Sequence, residues 1–359
     1  MLNKKRLLLA LLAISFIAFI SIAFFQFSKK NIIVTTSSDK AVAKKTVMAF
    51  TTFYHPEDTS SYNKMVDNTS SINSIATATY NVDGKGTLSG TVPKEQISYA
   101  NSKKINPFAM VTNNFKSDIA KELLENPNNR QLLIKNIVNE LKENNYKGVN
   151  IDLENLHYSN REHYTTFLKE LYPALRSQGF TVTVSVPAKT ADNVKDSWSG
   201  AYDYKSIGKY TDQVVIMTYD EHSPSGSAGA VASINWVKNV VNYAASVIPS
   251  SKIVLGVASY GYDWSLNGAK AYGIDSIYKL AETYNAEIHW DDKSQSPYFE
   301  YKDKSGAAHT VWFENSTSLS YKLDVVNSNS LAGIAIWRLG LENADYWSTI
   351  NAKLDNLQK

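Results

Sequence analysis

Cysteine is absent from this 359-residue chain. Its absence excludes disulfides, thiolate metal sites and a cysteine nucleophile, and leaves the compartment open. Charge of one sign is scarce too: a net charge of +3 is too small to suggest nucleic acid, and no basic cluster interleaved with aromatics occurs outside the N-terminus. No Gly-rich turn follows the first β-like run, so nothing supports a nucleotide site. His309 and Asp291-Asp292 lack ligand spacing, and neither a metal nor a cofactor is expected. Glu221-His222 invites a metal or acid–base reading, but a lone histidine in a polar loop is usually solvated. What is present, 20% charged and 12% aromatic residues, is ordinary globular composition with ample material for a core, in one large α/β domain or two smaller ones.

Lys4, Lys5 and Arg6 precede an apolar run from Leu7 to Phe27, about 21 residues and long enough to span a bilayer as a helix. Residues 1–30 therefore read as a cytoplasmic tip and membrane anchor, with cleavage of a signal sequence after Ala23 in Ser21-Ile22-Ala23 as the alternative. A single N-terminal span leaves the large domain outside the cell membrane, and cleavage makes it secreted. Residues 31–45 read as a polar linker, and 46–359 as one folded domain.

From Thr46 onward, short apolar β-rich runs alternate with helical patterns, the signature of an α/β fold. There are eight: Val47 to Phe53, Ile72 to Tyr80, Ile105 to Thr112, Gly148 to Glu154, Phe180 to Pro187, Gln213 to Tyr219, Ile253 to Tyr260 and Ala332 to Leu339. Helical runs from Ser117 to Asn145 and Asn160 to Gln178 flank the fourth, implying a parallel βαβ unit. Eight such repeats predict a (β/α)8 TIM barrel, with a doubly wound open sheet as the runner-up. The long gap between the last two runs predicts a small α+β insertion over about 267–328. It includes a β-hairpin around Asp303-Lys304-Ser305-Gly306 and would wall one side of a cleft.

The fourth run, Lys147-Gly148-Val149-Asn150-Ile151-Asp152-Leu153-Glu154, carries the most chemistry. Side chains alternate along a strand, so Asn150, Asp152 and Glu154 share one face and Val149, Ile151 and Leu153 the other. Strands of a parallel sheet are covered on both faces, so this polar stripe fits a barrel lumen better than a solvated surface. Two carboxylates so placed push at least one proton affinity upward, which keeps an acid protonated near neutral pH.

This stripe resembles the fourth-strand signature D-G-x-D-x-D-x-E of family 18 glycoside hydrolases. Met217-Thr218-Tyr219-Asp220, ending the sixth run, resembles the family's M-x-Y-D motif, and Trp337, ending the eighth, stands where the family places a substrate-stacking tryptophan. Met217-Thr218-Tyr219-Asp220-Glu221-His222 and Trp337-Arg338-Leu339-Gly340 bring the likeness nearest to the bacterial spore-cortex and cell-wall N-acetylglucosaminidase branch, although no LysM wall-binding repeat is found. Lys147 and Asn150 replace two outer aspartates. An amide at 150 is expected to hold Asp152 by a hydrogen bond without sharing a proton.

The resemblance implies Glu154 as the proton donor to the glycosidic oxygen, at the barrel's C-terminal mouth. It implies that the substrate's own 2-acetamido oxygen attacks the anomeric carbon, with Asp152 orienting the acetamide N–H, Tyr219 holding its oxygen, and net retention. The substrate is then a polysaccharide containing N-acetylglucosamine, of peptidoglycan or chitin type. Asn150, Asp220 and Trp337 are expected to bind it, Trp337 as an indole platform. Tyr260, Tyr262 and Trp264 read as partly cleft-lining, with Asn113, Asn114 and Lys189 as further subsite contacts. Two other readings keep the barrel and drop the chemistry: a silent lectin-like carbohydrate binder, and a sporulation assembly factor that uses the barrel as a docking surface.

Overall fold

The structure, a computed structural model, describes residues 44–354. Its strands are β1 (Thr46–Thr51), β2 (Ser74–Val82), β3 (Leu88–Gly90), β4 (Asn106–Thr112), β5 (Gly148–Asp152), β6 (Thr181–Pro187), β7 (Gln213–Met217), β8 (Ile253–Ala258), β9 (Tyr260–Ser265), β10 (Gly268–Gly273), β11 (His289–Asp291), β12 (Ser296–Lys302), β13 (Ala308–Phe313) and β14 (Gly333–Trp337). Its helices are α1 (Ser60–Asp67), α2 (Lys94–Ser102), α3 (Ser117–Glu125), α4 (Pro127–Glu143), α5 (Arg161–Arg176), α6 (Tyr204–Ile207), α7 (Ile234–Val247), α8 (Ile274–Thr283), α9 (Ser316–Ser328) and α10 (Ala344–Lys353).

Strands β1, β2, β4, β5, β6, β7, β8 and β14 pair in parallel, and β1 bonds both β14 and β2, so the sheet closes into the expected eight-stranded barrel. Short β3, which the sequence reading did not foresee, folds back antiparallel on β2. The outward side chains Val149, Ile151 and Leu153 join one apolar layer with Ile137 of α4 and Leu168 and Leu171 of α5. Each fully buried aliphatic side chain there contributes about 1.5–3 kcal/mol. A second apolar cluster fills the lower lumen: Met48, Phe50, Ala76, Phe108, Met110, Val215, Val254 and Ala335.

Two expected boundaries shift. The helical run from Ser117 to Asn145 is two helices, because Pro127 opens α4 and the Asn126 side chain accepts from the Asn128 N–H at 2.9 Å. The insertion starts at Tyr260, since only Ser259 separates β8 from β9, and its sheet order is β10-β9-β13-β12-β11 with α8 on one face. The hairpin at Asp303 is present: the Asp303 carboxylate accepts the N–H groups of Ser305 and Ala307, both at 2.9 Å. Helix α9, which the sequence reading assigned to the insertion, packs instead among the barrel helices against α10. Chain exit and return are tied where the Glu314 N–H donates to the Tyr260 carbonyl at 3.1 Å. A buried ion pair, Lys322 to Glu314 at 2.8 Å, pins the return to α9.

Among the described residues no helix is long and apolar enough to cross a membrane. The expected span from Leu7 to Phe27, the alternative cleavage after Ala23 and nearly all of the 31–45 linker lie outside them.

Candidate active site

Strand β5 fits tightly at its start, where a Cβ on Gly148 would stand 2.1 Å from the Thr181 carbonyl oxygen. Above it the stripe faces the lumen. Asn150 is fully buried, donates to Thr183 Oγ1 at 3.0 Å and accepts from Ser185 Oγ at 3.1 Å. Both ends of its amide are thereby engaged by β6, so the expected hydrogen bond to Asp152 is not made, and Asn150 lies beneath the cavity rather than in contact with a ligand. Asp152 is 5% exposed, and among the described residues its Oδ1 has no partner. Burial pushes its carboxyl well above the usual range.

Glu154 follows the strand and half emerges at the mouth. Its proton affinity is raised first by burial, then by the charge on Asp152, then by that on Asp220. Its backbone is fixed from both sides by Asn113: the Glu154 N–H donates to Asn113 Oδ1 at 2.8 Å, and Asn113 Nδ2 donates to the Glu154 carbonyl at 2.8 Å. Asn113 is fully buried. It clamps the main chain that carries Glu154 instead of lining a subsite.

Tyr219 and Asp220 follow β7. Burial, and then the charges of Asp152 and Glu154, hold the Tyr219 phenol protonated, well above its ordinary range. Asp220 adopts a left-handed backbone, φ 60°. Its Oδ1 accepts the hydroxyls of Tyr260 at 2.6 Å and Tyr262 at 2.9 Å. Its carboxyl is pushed upward by burial and pulled down by those two bonds. Trp337, half-buried at the end of β14, meets Phe50 edge-on at 5.3 Å and precedes a cis peptide bond to Arg338. Asp152, Glu154, Tyr219, Asp220 and Trp337 all line one cavity of 730 Å³ at the C-terminal ends of the strands.

The remaining expected contacts lie elsewhere. Tyr260, Tyr262 and Trp264 are 4%, 7% and 7% exposed and pack behind the cavity wall, Trp264 edge-on to Tyr262. Lys189 is buried, pairs with Asp192 at 2.8 Å and donates to the Tyr202 carbonyl over the Tyr204 ring. It braces the loop after β6 and does not reach the cavity. Asn114 is exposed in the turn after β4. Glu221 lines the cavity but accepts the N–H and hydroxyl of Ser233 at the start of α7. His222 bonds the Ala230 carbonyl.

Four lining aromatics escaped the sequence reading: Phe50, Phe115, Trp198 and Trp236. Phe115 and Trp198, 51% and 45% exposed, face each other at 5.7 Å on loops flanking Glu154. Phe115 carried a signal, an aromatic in a polar turn just after β4, whereas Trp198 lies well beyond the end of β6. Phe115 also holds a left-handed backbone, φ 63°, an unusual conformation for a bulky residue. Among the described residues no group of three or more acidic, His or Cys side chains could hold a metal. A second cleft, of 830 Å³, opens at the opposite end of the barrel beside Asn106 and Lys147, but a single carboxylate, Glu143, lines it and no acid pair is available there.

The family model of glycosyl hydrolases family 18 matches residues 12–342. The chain belongs to this family. It is 34% identical over 306 residues to the uncharacterized glycosylase YvbX of Bacillus subtilis, covering 83% of this chain and 89% of that one. It is 30% identical over 251 residues to the cortical fragment-lytic enzyme of Bacillus subtilis, matching 68% of this chain and 58% of that enzyme's length. Among solved structures, the spore cortex-lytic enzyme SleL of Bacillus megaterium superposes with a TM-score of 0.80 at 30% identity, over 86% of this chain and 74% of that one. The chitinase of Chromobacterium violaceum gives a TM-score of 0.81 at 28% identity, over 86% and 99%. Family 18 membership and these relatives make the chain a glycosidase, and its cavity brings the carboxyls of Asp152 and Glu154 together.

Proposed function

We propose that this glycosidase cleaves β-1,4 bonds next to N-acetylglucosamine in peptidoglycan or chitin-like glycans, with net retention, by substrate-assisted catalysis. The observation that carries this reading is the layering of the acids: Glu154 at the mouth with a raised proton affinity, and Asp152 one layer deeper, buried with an oxygen that has no partner among the described residues. Asp152 at that depth is poorly placed to attack an anomeric carbon, but it can accept a hydrogen bond from an acetamide N–H entering the cavity.

Glu154 gives its proton to the glycosidic oxygen as the bond from that oxygen to the anomeric carbon breaks. The acetamide carbonyl oxygen of the same sugar forms the new bond to that carbon, giving an oxazolinium whose charge Asp152 stabilises. Tyr219 holds the acetamide oxygen. Water then attacks the same carbon from the vacated side, Glu154 takes its proton, and the acetamide is restored. Names of the relatives, a cortical fragment-lytic enzyme and a chitinase, support a wall or chitin-type glycan. The apolar run from Leu7 to Phe27 would export the barrel or hold it outside the membrane, which fractionation of cells expressing a C-terminally tagged chain would test.

The decisive experiment is release of reducing ends from peptidoglycan, spore cortex and chitin oligosaccharides by the full chain and by Glu154→Gln, with products identified by mass spectrometry. Cleavage by the wild type alone, with the anomeric configuration retained, is expected. Inversion, or cleavage that survives Glu154→Gln, overturns the mechanism. Indifference to removal of the N-acetyl group overturns the role of the acetamide.

A further inference from the structure

Asp220 is an anion held without a cation. Among the described residues no Lys, Arg or His stands within ion-pairing distance of it. Two phenols supplied by β9, the first strand of the insertion, bond one and the same oxygen, Oδ1. Among the described residues no donor bonds its other oxygen, and the residue lines the cavity beside Glu154. The choice of donor matters physically. A guanidinium would satisfy the carboxylate and also cancel its field, whereas neutral phenols satisfy it and leave the negative charge to act on its neighbours.

The geometry points to a role for Tyr260 and Tyr262 as positioning residues: the insertion uses them to orient Asp220 with its second oxygen toward the bound glycan, while preserving its charge beside the acid. This inference rests on Glu154 being that acid. The titratable groups that line the cavity with Asp220 are Asp152 and Glu154 from the end of β5 and Tyr219 and Glu221 from its own segment, and the two phenols of β9 bond it. None of them is a cation, so among the described residues the groups that stabilise a charged Asp220 are the donors themselves. The two bonds pull the Asp220 carboxyl down against burial, and its charge in turn raises Glu154.

Two substitutions at one position separate these effects in opposite limbs of a pH profile. Tyr262→Phe removes one donor, so Asp220 should hold its proton to a pH higher by about one unit, and the acid limb of kcat should move up with it. Tyr262→Arg supplies a cation, so Glu154 should lose its proton at lower pH, and the alkaline limb should move down. Titration of the full chain, isotope-labelled at its carboxyl carbons and followed by NMR, reads both shifts without turnover, with Asp220→Asn and Glu154→Gln samples assigning the resonances. Tyr260→Phe repeats the first arm if Tyr262→Phe folds poorly. Shifts in the two stated directions support the inference. Titrations and pH profiles that superimpose on wild type overturn it, even where Glu154→Gln abolishes hydrolysis and the proposed reaction stands.

Discussion

The upper and lower halves of the barrel lumen are made by the same strands and obey opposite rules. Below, Met48, Phe108, Met110, Val215 and Val254 form an apolar plug. Above, Asp152, Glu154, Tyr219 and Asp220 crowd acidic and phenolic groups into one cavity. Asn150 with Thr183 and Ser185 marks the seam, a satisfied polar layer between the two. The contrast teaches that the plug is part of the chemistry. With apolar side chains packed beneath them, Asp152 and Glu154 are shielded from solvent on that side, and burial is the first cause of their raised proton affinities.

Changing only the upper half should leave the fold intact and remove activity. Glu154→Gln is expected to lower kcat/KM by about a thousandfold, with an unchanged circular dichroism spectrum. Changing only the lower half should do both. Met110→Ala opens a void in the plug and should cost about 3 kcal/mol in denaturant unfolding. If the plug keeps solvent from Asp152, the same variant should also let Asp152 ionise at lower pH, seen as an acid limb of kcat moved downward. An unmoved limb would separate the two halves after all.

A smaller effect concerns stability. Carboxyls whose folded proton affinity is raised favour the native state below their unfolded pKa values, near 3.9 and 4.3, and that contribution is lost as pH rises through the folded values. Asp152→Asn should therefore flatten the decline of Tm between acid and alkaline buffers and make the protein more stable at alkaline pH, by on the order of 1 kcal/mol. A steeper decline would show that Asp152 is stabilised as an anion. Smallest is the rim: Phe115→Ala or Trp198→Ala should raise KM for long glycans by an amount worth about 1 kcal/mol, with kcat and short substrates little affected.

Much of the barrel was legible because each strand announces itself locally, by a β-rich run of the right length before a helical pattern. The stripe of β5 was legible because alternation alone decides which side chains share a face. Partners distant in the chain were not. Nothing near Lys189 says that the Tyr202 carbonyl and the Tyr204 ring will enclose it, and nothing near Asn113 says that Glu154 will need a clamp. Tyr260 and Tyr262 were misread for another reason: a single residue, Ser259, carries the chain from the barrel into a second sheet, and a continuous β-rich run cannot show such a change of sheet.

The insertion leaves at Tyr260 and returns at Glu314, and one backbone hydrogen bond joins the two points. Such a pendant can be lengthened, trimmed or exchanged while every rung of the barrel ladder stays in place, because its two ends already meet. A lineage could therefore remodel one bank of the cleft for a new polymer at little risk to folding, provided the exchanged piece still returned two hydroxyls to Asp220.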